Sequence, residues 1–294
     1  MDLSAYIAQT KELVDAAIDR ALPSDGSVLS EAMRYSALAP GKRIRAMLVM
    51  EAARVCSGDP SAVMPFSCAV ELLHTFSLIH DDLPSMDNDD LRRGLPTSHK
   101  KFGEAIAILA ADGLFALSYQ IMSDKSTREK IANNGAVLDA IERISLAIGP
   151  SGMCLGQSLD MLSEGKTVTL DDLRSIHAKK TGALISSCVF AGARLSGAGM
   201  KQIENLEKYA SHIGLAFQIK DDILDLSGTS QELGKTPGSD EKKGKATFPA
   251  LVGMEKAEAM LEAERASAVS ALEQFGDRAG VLKALADYIA QRKR

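Results

Sequence analysis

The sequence contains no tryptophan, and aromatic residues make up only 4% of its 294 positions. Strand-like alternation of apolar and polar residues is equally scarce. The chain is instead rich in alanine and leucine, which favour helices. These absences argue against a β-sheet protein and predict an all-α fold.

Cysteine is also sparse, and its four positions are widely spaced at Cys56, Cys68, Cys154 and Cys188. They form neither a CxxC pair nor a compact disulfide framework, so we expect reduced thiols. The first 22 residues read as an amphipathic helix that carries acidic residues, unlike a signal peptide. We therefore expect a cytoplasmic protein.

Positive charge is not in excess, because the net charge is −5. A nucleic-acid binder would usually carry a basic face, so we expect no nucleic-acid partner. The most apolar stretch, Ala105 to Met122, is interrupted by Asp112 and Gly113. This favours a central buried helix over stable membrane insertion.

Helical periodicity and breaker residues divide the chain without any linker typical of a domain boundary. Pro84 should end one helix near Asp82, and Ser126 with Glu129 resembles a capping box that starts another. Helices are expected at 2–21, 28–38, 42–56, 60–82, 102–123, 126–148, 151–164, 169–195, 201–226, 246–273 and 277–291. Residues 1–294 are thus predicted to form one domain, a single large helical bundle.

Acidic residues crowd into the stretch HTFSLIHDDLPSMDNDDLRRGLPT, residues 74–97. Asp81 and Asp87 would lie 240° apart on an unbroken helix, but the break at Pro84 lets the chain bring them together. Mg²⁺ prefers such carboxylate oxygens, and the arginines that follow suit phosphate. A solvated acidic loop explains this stretch about equally well by itself. Its other charged members are Asp82, Asp89, Asp90, Arg92 and Arg93.

A second acidic cluster, Asp221, Asp222 and Asp225, follows a largely apolar segment. Asp221 and Asp225 are four residues apart and share one helix face, where like charges repel without a counter-charge. Two aspartate-rich helix ends facing each other would form a polynuclear Mg²⁺ site. Counted together, the clusters favour a metal site over an ordinary polar face.

Several basic residues lie at positions where a bound anion would account for their positive charge. Lys42, Arg43 and Arg45 begin a helix, where the dipole disfavours cations. A solvated turn accounts for these three residues equally well, and a single histidine such as His74 is more often a core residue. Lys179 and Lys180 lie beside Gly182. Lys235, Lys242 and Lys243 lie in a loop over 228–244, and Lys245 follows it directly. Such a lysine-rich loop is usually solvated, but beside a polyphosphate site it would act as a lid.

Taken in order, these motifs resemble the trans-isoprenyl diphosphate synthases, and most of all the bacterial farnesyl diphosphate synthases. The resemblance runs nearly end to end, and such long motifs are very specific. It implies a bundle of long antiparallel α-helices around a deep central cavity, usually in a homodimer. The matching motifs are GKRIR (41–45), ELLHTFSLIHDDLPSMDNDDLRRGLPT (71–97), AILAADGL (107–114), GQSLDM (156–161), KKTGALI (179–185), FQIKDDILD (217–225) and GKTPGSDEKKGKATFP (234–249).

The resemblance also implies a role for each matching residue. Three Mg²⁺ ions are expected on Asp81, Asp82, Asp87, Asp221, Asp222 and Asp225. The metal-bound allylic diphosphate would contact Arg92, Lys180, Lys235 and Lys245, while Thr181 and Gln218 would face the developing carbocation. Isopentenyl diphosphate, which needs no metal, would contact Lys42, Arg45, His74 and Arg93, and Gln157 with Asp160 would line the cavity.

The implied reaction is ionisation of an allylic diphosphate, condensation with isopentenyl diphosphate, and loss of a proton. In the family, an aromatic residue five positions before the first aspartate, or a two-residue insertion in the motif, shortens the product. Phe76 and Pro84-Ser85 meet these conditions, with Ser77 beside Phe76. We expect farnesyl diphosphate (C15) from dimethylallyl and geranyl diphosphates. The alternatives are a geranylgeranyl diphosphate (C20) synthase, a terpene cyclase and a non-catalytic helical partner subunit.

Overall fold

The computed structural model describes residues 2–131, 133–227 and 245–292. Over these residues the predicted all-α fold is confirmed. The first half contains α1 Leu3–Ala21, α2 Val28–Ala37, α3 Ile44–Val55, α4 Met64–Asp81, α5 Ser98–Phe102, α6 Glu104–Ser123, α7 Lys125–Lys130 and α8 Asn134–Ile148. The second half contains α9 Met153–Ser163, α10 Leu170–His177, α11 Ala183–Leu195, α12 Met200–Ser227, α13 Phe248–Val252, α14 Met254–Ala271 and α15 Gly280–Gln291.

Within the described ranges, two short helical segments are not α-helical. A π-helical turn, Ala178–Gly182, connects α10 to α11 and interrupts the stretch 169–195 that was expected to be one helix. A 3₁₀ segment, Glu273–Ala279, precedes α15.

The loop after α4 contains a two-stranded hairpin that the sequence did not predict, formed by β1 Leu91–Arg92 and β2 Leu95–Pro96. Its two turn residues, Arg93 and Gly94, have φ values of 55° and 79°. Positive φ at both positions matches the turn type that suits the twist of paired strands. The hairpin separates the directions of Arg92 and Arg93.

The helix expected over 126–148 is two helices. Asp124, not Ser126, accepts a bond from a first-turn backbone N–H of α7, and Asn133 caps α8 in the same way. Gly253, with φ of 83°, likewise divides the helix expected over 246–273. The Asp124 and Asn133 side chains satisfy N–H groups that have no partner inside the helix.

Two apolar cores lie on either side of α3 and α4. One is built from α3, α4, α8, α11, α12, α14 and α15, and the other from α1, α2, α3, α4 and α6. Helix α4 contributes to both cores, and Ile79 in the second core holds its C-terminal end, with Asp81, in place.

The apolar helix α6 is long enough to cross a membrane by length and composition, a test that core helices of soluble proteins also pass. Only 33% of its most apolar window is buried, so the expectation of a fully buried helix is met on one face only. The other face exposes Ile108, Leu109 and Phe115.

Candidate active site

The chain turns back on itself directly after α4, as the break at Pro84 predicted. Buried Leu83 accepts backbone N–H bonds from Met86 and Asn88. The Asp87 N–H then donates to the carbonyl of Asp81 at 2.8 Å. The two aspartates of the first cluster are therefore brought side by side.

Burial and neighbouring carboxylates make these carboxyl groups less acidic. Burial, reinforced by Asp87 and opposed by Lys180, raises the pKa of Asp81 to about 6. Burial also raises the pKa of Asp82, against the effect of Arg92. Carboxylates that resist ionisation beside one another favour a bound cation.

The hairpin aims Arg92 at this cluster. Its Nε donates to Asp82 Oδ1 at 2.9 Å, its Nη2 also bonds Asp82, and the same Nη2 lies 3.1 Å from Asp89 Oδ2. The guanidinium therefore lies beside the residues predicted to bind metal, within reach of any phosphate bound there.

The neighbouring Arg93 enters a different pocket, of about 320 Å³, together with Lys42, Arg45 and His74. The structure thus brings together all four residues that the sequence grouped. A side-chain carbon at Gly41 would lie 2.6 Å from Nη1 of Arg93, so the absence of a side chain at Gly41 gives this guanidinium its place.

The cationic pocket is organised by a buried carboxylate that the sequence analysis missed. Glu71 Oε1 accepts the backbone N–H of Ala46 at 3.1 Å, and its Oε2 lies 3.8 Å from Nη1 of Arg43. Burial, with Arg45 and Arg93 nearby, holds the pKa of His74 well below its usual value. The imidazole is therefore neutral at pH 7 and can accept or donate a hydrogen bond.

The π-helical turn presents Lys180 and Thr181. Lys180 Nζ donates to Asp160 Oδ2 at 2.7 Å, and Thr181 hydrogen-bonds Gln218 of α12. A side chain at Gly156 would lie 2.2 Å from the Lys180 backbone nitrogen, so α9 packs directly on this turn. π turns are frequent at functional sites because they reposition side chains along a helix.

Lys245 connects the first cluster to α9. Its Nζ lies 3.0 Å from Asp87 Oδ1, 3.7 Å from Asp160 Oδ2 and 3.9 Å from Glu164 Oε1. The predicted cavity residue Gln157 lies on α9 with a buried Oε1. Lys235, Lys242, Lys243 and the loop 228–244 lie outside the described residues.

The second cluster lies on α12. Asp221 Oδ1 lies 2.5 Å from Arg292 Nη2, and Asp222 Oδ2 accepts the Phe248 N–H at 2.8 Å. His177 Nε2 is 3.8 Å from the same Asp222 oxygen. Asp225 is only 2% exposed, whereas the Asp221 side chain is 42% exposed, so the two aspartates on this helix face differ in burial.

Among the described residues, no three histidine, cysteine or acidic side chains are arranged to hold a metal ion. Protein cations hold the carboxylates instead: Arg92 at Asp82, Lys245 at Asp87 and Arg292 at Asp221. The donor set nevertheless fits Mg²⁺, since carboxylate oxygens on two clusters are the ligands that this ion prefers.

Comparison with known proteins gives the family. The polyprenyl synthetase family model matches residues 26–288. The chain belongs to the polyprenyl synthetase family. It is a prenyltransferase of the trans-isoprenyl diphosphate synthase type.

Relatives with different products are similarly close. The chain is 46% identical to a farnesyl diphosphate synthase of Geobacillus stearothermophilus, over 86% of each chain. It is 44% identical to the large subunit 1 of a heterodimeric chloroplast geranylgeranyl pyrophosphate synthase of Arabidopsis thaliana, over 99% of this chain and 80% of the relative. The crystal structure of an FPP/GFPP synthase from Zymomonas mobilis matches with a TM-score of 0.87 at 36% identity, over 98% of this chain and 99% of the other.

Proposed function

We propose that this prenyltransferase makes farnesyl diphosphate (C15) by Mg²⁺-dependent head-to-tail (1′-4) condensation of isopentenyl diphosphate with dimethylallyl and then geranyl diphosphate. The observation that best supports this proposal is that the site has two chemically different halves. One is a pocket lined by Lys42, Arg45, His74 and Arg93, and the other is rich in aspartate. Two diphosphates, one with metal and one without, suit such a site.

The cationic half suits isopentenyl diphosphate. Fixed positive charge from Lys42, Arg45 and Arg93 neutralises a diphosphate without a metal, and Arg45 and Arg93 can bind its oxygens bidentately. A neutral His74 adds a hydrogen bond without adding charge. The volume of about 320 Å³ accommodates a diphosphate group with a short apolar chain.

The acidic half suits the allylic diphosphate with three Mg²⁺ ions. Asp81, Asp82 and Asp87 would hold two ions, and Asp221 with Asp222 and Asp225 would hold the third. When bound, Mg²⁺ neutralises charge on the diphosphate and makes it a better leaving group. Arg92, Lys180, Lys235 and Lys245 are proposed to bind the diphosphate oxygens directly, and Lys180 and Lys245 currently pair with carboxylates that would be released.

Lys180, Thr181 and Gln218 are proposed to act at the reacting carbons. The allylic C–O bond breaks to give a carbocation and diphosphate, and the isopentenyl double bond then forms the new C–C bond. Thr181 and Gln218 bring two oxygen dipoles together through their mutual hydrogen bond, which stabilises the cation. A proton leaves the former isopentenyl carbon C2 and is taken by the released diphosphate, so no protein nucleophile is needed.

Product length is proposed to be limited by Phe76, with Ser77 beside it. Phe76 lies five residues before Asp81, about 7.5 Å down α4. Its ring packs edge-on against Phe115 of α6 at 5.2 Å, and against His80 at 4.8 Å. Two helices thereby present aromatic rings at one level, which favours the C15 product over the C20 alternative.

A direct assay tests the proposal. The protein is incubated with labelled isopentenyl diphosphate, each allylic starter and Mg²⁺, and the dephosphorylated products are separated by chromatography. Mainly C15 alcohol is expected. Mainly C20 alcohol would establish the geranylgeranyl alternative, cyclic hydrocarbon a terpene cyclase, and no product from any starter a non-catalytic partner subunit.

We further propose that residues 1–294 act as one synthase unit in a cytoplasmic homodimer. The exposed face of α6 carries Ile108, Leu109 and Phe115, and α8, which contacts α6, exposes Leu138 and Leu146. Large exposed apolar side chains on adjacent helices are typical of an interface between subunits. Sedimentation should show a dimer that Leu109→Glu weakens, whereas glutamate at exposed Leu13 on α1 should leave the dimer intact.

A further inference from the structure

The last helix ends against the second aspartate cluster. Arg292 Nη2 donates to Asp221 Oδ1 at 2.5 Å and to the backbone carbonyl of Phe217 at 3.0 Å. The guanidinium also lies 3.9 Å from the centroid of the Phe217 ring. With its side chain only 8% exposed, Arg292 is held by three separate contacts to α12.

Arg292 and the proposed metal compete for the same carboxylate. The bond uses Oδ1 of Asp221, and a magnesium ion would coordinate carboxylate oxygen as well. Arginine does not lose its proton in proteins, so it cannot become neutral to accommodate the ion. For the ion to take Oδ1, the guanidinium must therefore move away from that oxygen.

The same arginine is part of the wall of the cationic pocket. Arg292 and Tyr288 of α15 line it together with Lys42 and Arg45, and Lys42 Nζ lies 5.2 Å from the Tyr288 ring. The Nε of Arg292 is buried without a hydrogen-bond partner. Displacing Arg292 from Asp221 would therefore change a wall of the neighbouring pocket.

We propose that Arg292 is a positioning residue that occupies Asp221 in the metal-free protein and must leave it before a divalent cation binds there. The inference rests on the proposed metal role of Asp221. It makes the C-terminal end of α15 a link between metal loading of the second cluster and the shape of the cationic pocket. Because Asp221 is 42% exposed, solvent screens the pair, and its removal should strengthen cation binding by up to about fivefold.

The test measures Mn²⁺ binding by electron paramagnetic resonance, with methylenediphosphonate held in constant excess. Arg292→Gln should bind one Mn²⁺ about three- to fivefold more tightly than the wild type. Arg265→Gln is the matched control. Arg265 lies on α14, and its Nη1 pairs with Asp287 of α15 at 2.7 Å, away from the cluster, so this variant should bind as the wild type does.

Asp221→Asn separates this inference from the proposed function. If Asp221→Asn binds as many ions as the wild type, the metal role of Asp221 is wrong and the inference falls with it. If Asp221→Asn loses one ion but Arg292→Gln matches Arg265→Gln, the metal role stands and the role of Arg292 alone is overturned.

Hydrogen exchange distinguishes the proposed positioning role of Arg292 from a merely structural one, because only the positioning role links the exchange rate to metal binding. In the wild type, the amides of residues 288–291 should exchange faster once Mn²⁺ and methylenediphosphonate are added, since the Arg292 contact is lost. In Arg292→Gln they should exchange fast with or without the metal. Equal metal-linked changes in both proteins would contradict the proposal.

Discussion

Gly156 is the position where the packing of α9 on the π-helical turn can be tested most sharply. An alanine Cβ there would lie 2.2 Å from the Lys180 nitrogen, 2.6 Å from its Cα and 2.8 Å from the Lys179 carbonyl carbon. Ordinary contact begins at 3.4 Å, so the two backbones must separate by ~1.2 Å. All three atoms belong to the backbone, so no side chain can rotate away.

This separation has a calculable cost. Overpacking typically costs about 1–3 kcal/mol, and here the upper end applies because only backbone can move. Replacing a helical glycine by alanine stabilises the helix by up to ~1 kcal/mol, which offsets part of this cost. Gly156→Ala should therefore lower the free energy of unfolding by about 2 kcal/mol. A shift of Lys180 by about 1 Å should also lower kcat roughly 10²-fold.

Urea unfolding and steady-state kinetics measure both effects. Gly280→Ala is the matched control, because Gly280 is helical, with φ of −54°, and no atom lies within 4 Å of the place that an alanine Cβ would take. It should keep wild-type activity and gain up to ~1 kcal/mol of stability. Wild-type stability and kcat in Gly156→Ala would refute the packing described here.

Three further outcomes are expected. Phe76→Ala should lengthen the product beyond C15, as shown by chromatography, and an unchanged C15 product would remove Phe76 from the proposed floor. Gly41→Ala should raise KM for isopentenyl diphosphate with little change in stability, because the Arg93 guanidinium can shift; unchanged kinetics would contradict this contact. His74 is neutral when folded but gains a proton when unfolded, so stability falls as pH drops below 6.5, by at most about 1.4 kcal/mol per pH unit. His74→Gln should flatten that dependence in urea titrations at pH 7 and 5.5, and an equal slope in both proteins would show that His74 is not its source.

Much of the fold was predictable because helix signals are local. Pro84 predicted both the end of α4 and the return of Asp87 to Asp81, and the Asp87 N–H bond to the Asp81 carbonyl confirms that geometry. The capping box at Ser126 misled because Asp124 caps the helix two residues earlier and accepts the N–H of Ser126 itself. A short side chain two residues away was enough to change the helix start.

Other features could not be read from local patterns. The hairpin turn places Arg93 at positive φ, which a non-glycine residue seldom adopts. Glu71 resembles any polar residue on an amphipathic helix until α3 packs against it. The pair between Asp221 and Arg292 joins residues 71 positions apart, so only the tertiary structure brings it into view.

The division of the site into a metal-free half and a metal-dependent half is tested most directly by calorimetric binding with and without EDTA. Isopentenyl diphosphate should bind equally well in both conditions, through Lys42, Arg45, His74 and Arg93. A non-hydrolysable thio analogue of geranyl diphosphate should bind only with Mg²⁺. If isopentenyl diphosphate requires Mg²⁺, or if the allylic analogue binds equally well in EDTA, the proposed division is wrong.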